Sequence, residues 1–175
     1  MVAIFGTMGA DVVHIVLGIP YLISTVFFAV ALAIIFVVWY AIEKTLSIHS
    51  IYTRRRELFY WATVMATFAL GTAAGDMTAA TLNLGYFASG VLFAILIAIP
   101  AIGYLLFGLN EIVAFWFAYI VTRPLGASFA DWFGKSYLGG LGLGDTNVSL
   151  VLTILIIGFV AYLTVTRKDV SDDQR

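Results

Sequence analysis

Six runs of mostly apolar residues, at 1–18, 21–43, 58–82, 86–108, 111–133 and 147–166, take up nearly the whole chain. A helix needs about 20 apolar residues to cross a bilayer. In lipid a backbone must satisfy its own hydrogen bonds, which favours helices over irregular segments. Composition points the same way. Of 175 residues, 62% are hydrophobic and 11% charged, against about 25% charged in a soluble domain. The sequence therefore predicts an all-α, polytopic transmembrane helix bundle of about six spans. Only 44–57, "KTLSIHSIYTRRRE", and 167–175, "RKDVSDDQR", read as water-exposed. The glycine-rich link 134–146 reads as a flexible loop at the membrane surface.

Much is excluded as well. The net charge is −1, so no basic face invites nucleic acid. No cysteine is present, which removes disulfides and thiolate chemistry. His14 and His49 are the two imidazoles. No nucleotide loop, zinc-protease motif or nucleophile elbow appears, so no enzyme activity, catalytic residue or cofactor is expected. Orientation follows from Lys and Arg. Lys44 and Arg54–Arg56 lie between the second and third spans, and Arg167 and Lys168 follow the sixth, with Lys135 on the other side. Loop 44–57, the turn at Leu109–Asn110–Glu111 and both termini are thus expected in the cytoplasm.

The chain repeats itself. "GTMGAD" at 6–11, "GTAAGD" at 71–76 and "GASFAD" at 126–131 each set a small residue four positions, and an aspartate five positions, after a glycine. Trp61 and Trp116 each stand ten before that glycine. Tyr21 and Tyr86 follow their aspartates by ten, and Ser24 and Ser89 by thirteen. The unit is a helix pair, and such periodicity decides a fold when it is present. It divides the chain into a partial repeat at 1–43, a cytoplasmic loop at 44–57, repeats at 58–108 and 109–166, and a cytoplasmic tail at 167–175. The first span lacks the tryptophan and about two turns of its counterparts.

The stretches "WYAIEKTLSIHSIYTRRRELFYW", "FALGTAAGD" and "FWFAYIVTRPLGASFADW" resemble a family of bacterial membrane proteins of unknown function, built from tandem two-helix repeats that each carry a tryptophan. The resemblance covers essentially the whole chain, matching the last two and a half of the family's usual four repeats. It implies a multi-pass protein of the bacterial inner (plasma) membrane with no established activity. It also implies that the chain either self-associates or relies on upstream repeats.

Within this frame Gly6 and Ala10, Gly71 and Gly75, and Gly126 and Ala130 each form a small-residue stripe that lets helices approach closely. Trp61 and Trp116 read as interfacial anchors. Asp11, Asp76 and Asp131 share one depth, and intramembrane carboxylates mark function by default. The bland alternative makes Asp76 and Asp131 helix-end caps beside Thr78, Thr81 and Asn83. Arg123, next to a Pro124 that should break or kink its helix, is expected to seek a carboxylate. His14, three after Asp11, is a relay candidate or simply a satisfied interfacial histidine. Two functions follow. In one, Asp11, Asp76, Asp131, Arg123 and His14 form a pathway for a proton, Na⁺, Mg²⁺ or Mn²⁺, with the bound metal, if any, left open. In the other, the same residues lock the helices of a non-transporting membrane scaffold.

Overall fold

The computed structural model describes residues 2–166, so the expected tail 167–175 lies outside the described residues. Helix α1 (Val2–Asp11) runs into a π-helical turn, Val12–Val16, and α2 spans Tyr21–Glu43. A short 3₁₀ turn, Ile48–Ser50, precedes α3 (Arg54–Asp76), which ends in a second π-helical turn, Met77–Thr81. Then come α4 (Gly85–Phe107), α5 (Glu111–Gly134) and α6 (Asp145–Thr166). No strand occurs among the described residues.

Among the described residues five helices are long and apolar enough to cross a membrane: α2, α3 with its π turn, α4, α5 and α6. The first expected span is not among them. At about 1.5 Å per residue, a helix the length of α1 and its π turn falls short of a hydrocarbon core about 30 Å thick.

Local sequence sets the boundaries. The Thr53 hydroxyl accepts the Arg56 N–H at the start of α3, and the Asn110 side chain accepts from Ile112 and Val113 at the start of α5. These caps satisfy amide groups that a helix start leaves unpaired. Helices α2 and α4 both close on a left-handed residue, Lys44 (φ 57°) and Gly108 (φ 64°). Helix α5 passes through Pro124 without a break, so of the expected break or kink the break does not occur.

One packing rule repeats along the chain. Helix α3 seats between α1 and α2, and α5 seats between α3 and α4. The first helix of each pair thus enters the groove made by the pair before it. Helices α2 and α4 lie outside and are markedly more apolar than the central α3 and α5. Helix α6 leans on α5 and has no buried residue.

Close approach depends on two glycines. A Cβ on Gly6 would stand 2.5 Å from the Phe68 Cβ and 2.8 Å from the Met65 carbonyl oxygen of α3. A Cβ on Gly71 would overlap the Arg123 Cβ and come within 3.2 Å of the Pro124 ring of α5. Phe68 and Arg123 each stand three residues before the repeat glycine of their own helix, so the two contacts are equivalent. The third stripe does not follow suit. Gly126 is exposed, and a Cβ added there would meet nothing within 4 Å. Its stripe is intact, but no helix among the described residues faces it.

The tryptophans divide likewise. Trp61 is 44% exposed, whereas Trp116 is 4% exposed and packs inside the bundle. Its indole N–H donates to the Leu46 carbonyl at 2.9 Å, while Phe36, Trp39, Tyr60 and Tyr119 surround the ring. Buried indoles need such a polar partner, and the α2–α3 connection supplies it. The same end is tied by Glu43, which receives Arg56 at 2.6 Å and Arg55 at 3.6 Å.

Candidate functional site

The opposite end of the bundle gathers the repeat aspartates. Asp11 and Asp76 are the last α-helical residues before the two π turns, and the turns correspond in register. Leu17 N–H bonds the Val12 carbonyl and Ile19 the Val13 carbonyl. Leu82 likewise bonds Met77, and Leu84 bonds Thr78. The following left-handed residues, Gly18 (φ 64°) and Asn83 (φ 55°), also correspond. π turns are rare and cluster at functional sites. Here they end the first helix of a pair just below its carboxylate and turn the chain towards the second.

Neither Asp11 nor Asp76 makes a side-chain cap bond to its turn. Thr78 donates instead to the Gly75 carbonyl, and Asn83 to the Thr81 carbonyl. The capping reading of Asp76 thus has no hydrogen bond behind it. The charges of Asp131, Lys135, Asp11 and His14 all act on Asp76, and those of Lys135, Asp145 and Asp11 act on Asp131. One carboxylate from each repeat therefore lies within electrostatic reach of the others at one end of the bundle.

A connection covers this end. The link expected to be flexible folds back on α5: Leu141, Gly142, Leu143 and Gly144 donate to the carbonyls of Trp132, Lys135, Phe133 and Gly134. Tyr86 N–H reaches the Leu138 carbonyl. The link carries Lys135, which pairs with Asp131 at 3.1 Å and lies over the rings of Tyr86 and Tyr137. Burial works against the ammonium, but the Asp131 carboxylate outweighs it, and the Lys135 pKa ends above the ordinary lysine range. Sequence reasoning gave Lys135 only a topological role. Its placement four residues after Asp131, one helical turn on, was the available signal.

His14 is held rather than free. Its Nδ1 lies 2.6 Å from the Ile19 carbonyl oxygen, and its ring stacks on Tyr21 at 3.3 Å. Buried hydroxyls lie nearby in sequence: Ser128, one turn before Asp131, and Ser89, one turn after Tyr86. Both are almost wholly enclosed, and neither hydroxyl has a hydrogen-bond partner among the described residues.

Arg123 does not join the cluster. It lies eight residues before Asp131, about 12 Å along the helix. Its Nη2 donates to the Tyr119 hydroxyl at 2.8 Å, and the guanidinium lies 3.6 Å from the Phe68 ring centre and 4.9 Å from that of Tyr119. Among the described residues no carboxylate lies within ion-pair distance of it. Two aromatic faces thus take the place of the expected carboxylate. Nor do any three His, Asp or Glu side chains among the described residues converge closely enough to hold a metal ion.

These features define a class: an integral membrane protein whose helices are laid down as tandem two-helix repeats. The family follows from the comparison of sequences. The chain matches the Repeat of Unknown Function (DUF347) over residues 1–45, 59–108 and 114–169, and it belongs to that family. No curated protein and no solved structure matches it.

Proposed function

We propose that this chain moves a proton or a small monovalent cation across a bacterial inner membrane. The observation that carries the proposal is the placement of Asp11, Asp76 and Asp131, one from each repeat, at the corresponding ends of α1, α3 and α5. Lys135 neutralises one of the three. Uncompensated carboxylates in an apolar bundle are costly and are kept where they serve a function. The unpartnered Ser89 and Ser128 hydroxyls supply neutral oxygens of the kind that replace a cation's hydration shell. Because the carboxylates do not converge as a cage, a proton or a hydrated monovalent ion suits them better than Mg²⁺ or Mn²⁺, which need several close oxygen ligands. Arg123 lies deeper, as a fixed positive charge that limits how far a cation travels without a proton partner.

The reading also orients the protein. The end rich in Lys44 and Arg54–Arg56 faces the cytoplasm, so the aspartates open towards the outer face. Cysteine at Ser50 should resist an impermeant thiol reagent in intact cells, while cysteine at Ser136 should label. The reverse pattern would overturn the orientation. For transport, purified chain in liposomes should dissipate an imposed pH or Na⁺ gradient. Asp76→Asn, which preserves shape, should lower the rate at least about tenfold, a rise of roughly 1.4 kcal/mol in the rate-limiting barrier. Equal flux in Asp76→Asn and the parent would sink the transport reading and favour a scaffold held by its glycine contacts.

A further inference from the structure

We infer that the cleft at the start of α3 binds the headgroup of a zwitterionic phospholipid, one that carries a phosphate and a primary ammonium. The cleft lies at the end of α3 opposite Asp76. It measures about 380 Å³, with Tyr52, Thr53, Arg54, Glu57, Tyr60 and Trp61 among its walls, a volume within the range of small-ligand sites.

Its charges single it out. Three arginines stand together here, and two are already engaged, since Glu43 receives both Arg55 and Arg56. Arg54 is exposed, and no carboxylate among the described residues lies within ion-pair distance of it. Glu57 stands three residues on, a spacing at which opposite charges on one helix ordinarily meet. Here they do not pair. Glu57 turns instead to the Trp61 indole, whose N–H donates to Oε1 at 3.4 Å. One cation and one carboxylate thus share a cleft without joining.

A simple anion would be repelled by Glu57, and a simple cation by Arg54. A zwitterion satisfies both. The guanidinium takes the phosphate, for which its fork of donors is suited. The Thr53 hydroxyl, which accepts the Arg56 N–H, keeps its own proton to donate to the same phosphate. The second Glu57 oxygen accepts an ammonium N–H, and the rings of Tyr52, Tyr60 and Trp61 add the aromatic surface that attracts such cations. The source is a membrane lipid rather than a free compound of the same chemistry. Leu58, Trp61 and Met65 are all exposed and, at i, i+3 and i+7, share one face of α3. That apolar strip leads from the cleft along the span, where an acyl chain attached to the headgroup would lie.

The test titrates full-length chain in a mild detergent with dioleoyl phosphatidylethanolamine, phosphatidylcholine and phosphatidylglycerol, and reads retained lipid by native mass spectrometry. The ethanolamine lipid should bind at least about tenfold more tightly than the other two. The glycerol lipid lacks an ammonium, and the choline lipid has no N–H for Glu57. Arg54→Gln and Glu57→Gln should each weaken the ethanolamine lipid at least about tenfold. Glu57→Gln should also strengthen the glycerol lipid, a gain that a misfolded variant cannot show. Arg55→Gln, at a side chain held by Glu43, should change neither affinity. A parent that prefers the glycerol lipid or does not distinguish the three would overturn the assignment. So would ethanolamine-lipid binding that is indifferent to Arg54→Gln and Glu57→Gln. Free phosphoethanolamine that competes as tightly as the lipid would overturn the membrane source.

Discussion

Helices α3 and α5 are two copies of one design, yet they live in different surroundings. Each carries a tryptophan in its first half, the glycine ten residues later and the aspartate fifteen residues later. In α3 the tryptophan is exposed and the glycine is packed. In α5 the tryptophan is buried and the glycine is open. The motif provides a surface, and whether that surface becomes an interface depends on the neighbour the chain has placed beside it. Trp116 is enclosed because α2 and the α2–α3 connection lie over it. Trp61 has no such cover. Gly71 is enclosed because α5 follows α3, whereas no first-type helix among the described residues follows α5.

The contrast can be broken most forcefully at the tryptophans. Trp116→Ala removes a buried ring and strands the Leu46 carbonyl, and should cost about 3–5 kcal/mol of stability, read as a lower midpoint in detergent-induced unfolding. Trp61→Ala should cost less than about 1 kcal/mol. Equal losses at the two sites would show that the exposed ring is covered in the membrane.

The glycines come next. Gly71→Leu drives a side chain into the Arg123 backbone and Pro124 and should cost roughly 1–3 kcal/mol or more. In the monomer Gly126→Leu should be neutral or slightly stabilising, because glycine is a poor helix former by about 1 kcal/mol. Equal effects on monomer stability would mean that the two faces are packed alike.

The smallest effect is expected at the aspartate end. Lys135→Met removes an ion pair whose side chains are 27% and 25% exposed, and should cost on the order of 1 kcal/mol. Since the folded Lys135 pKa is raised, its contribution is fully present below the ordinary lysine value of about 10.4 and fades as pH climbs through the folded value. Parent and Lys135→Met should therefore differ at pH 8 and converge in strong alkali. A difference that grew with pH would contradict the Asp131 pairing.

The helices were legible because lipid imposes a length and an apolar composition that can be read residue by residue. The aspartate register was legible because three copies of one spacing share it. What stayed hidden depends on neighbours or on backbone detail. Nothing local tells Trp116 from Trp61, since the difference lies in what crosses over them. Arg123 was expected to find a carboxylate, but Phe68 and Tyr119 satisfy it with their faces, and cation–π pairing leaves no charge pattern in a sequence. The π turns after Asp11 and Asp76 are equally silent, because a shift of one hydrogen bond needs no special residue. The 134–146 link looked loose because glycine usually signals freedom, yet here its left-handed glycines at 139, 142 and 144 let the chain fold back on α5.

The seating of each first helix between its predecessors also governs how the protein enters the membrane. Helices α2 and α4 are apolar enough to partition into lipid unaided, while α3 and α5, with their threonines, glycines, Asp76, Arg123 and Asp131, are much less so. Each weakly inserting helix leaves the ribosome directly after a strongly inserting one against which it packs. The helices are thus expected to insert in couples, α2 receiving α3 and α4 receiving α5. A polar residue too costly for its own helix is admitted because the receiving surface is already there.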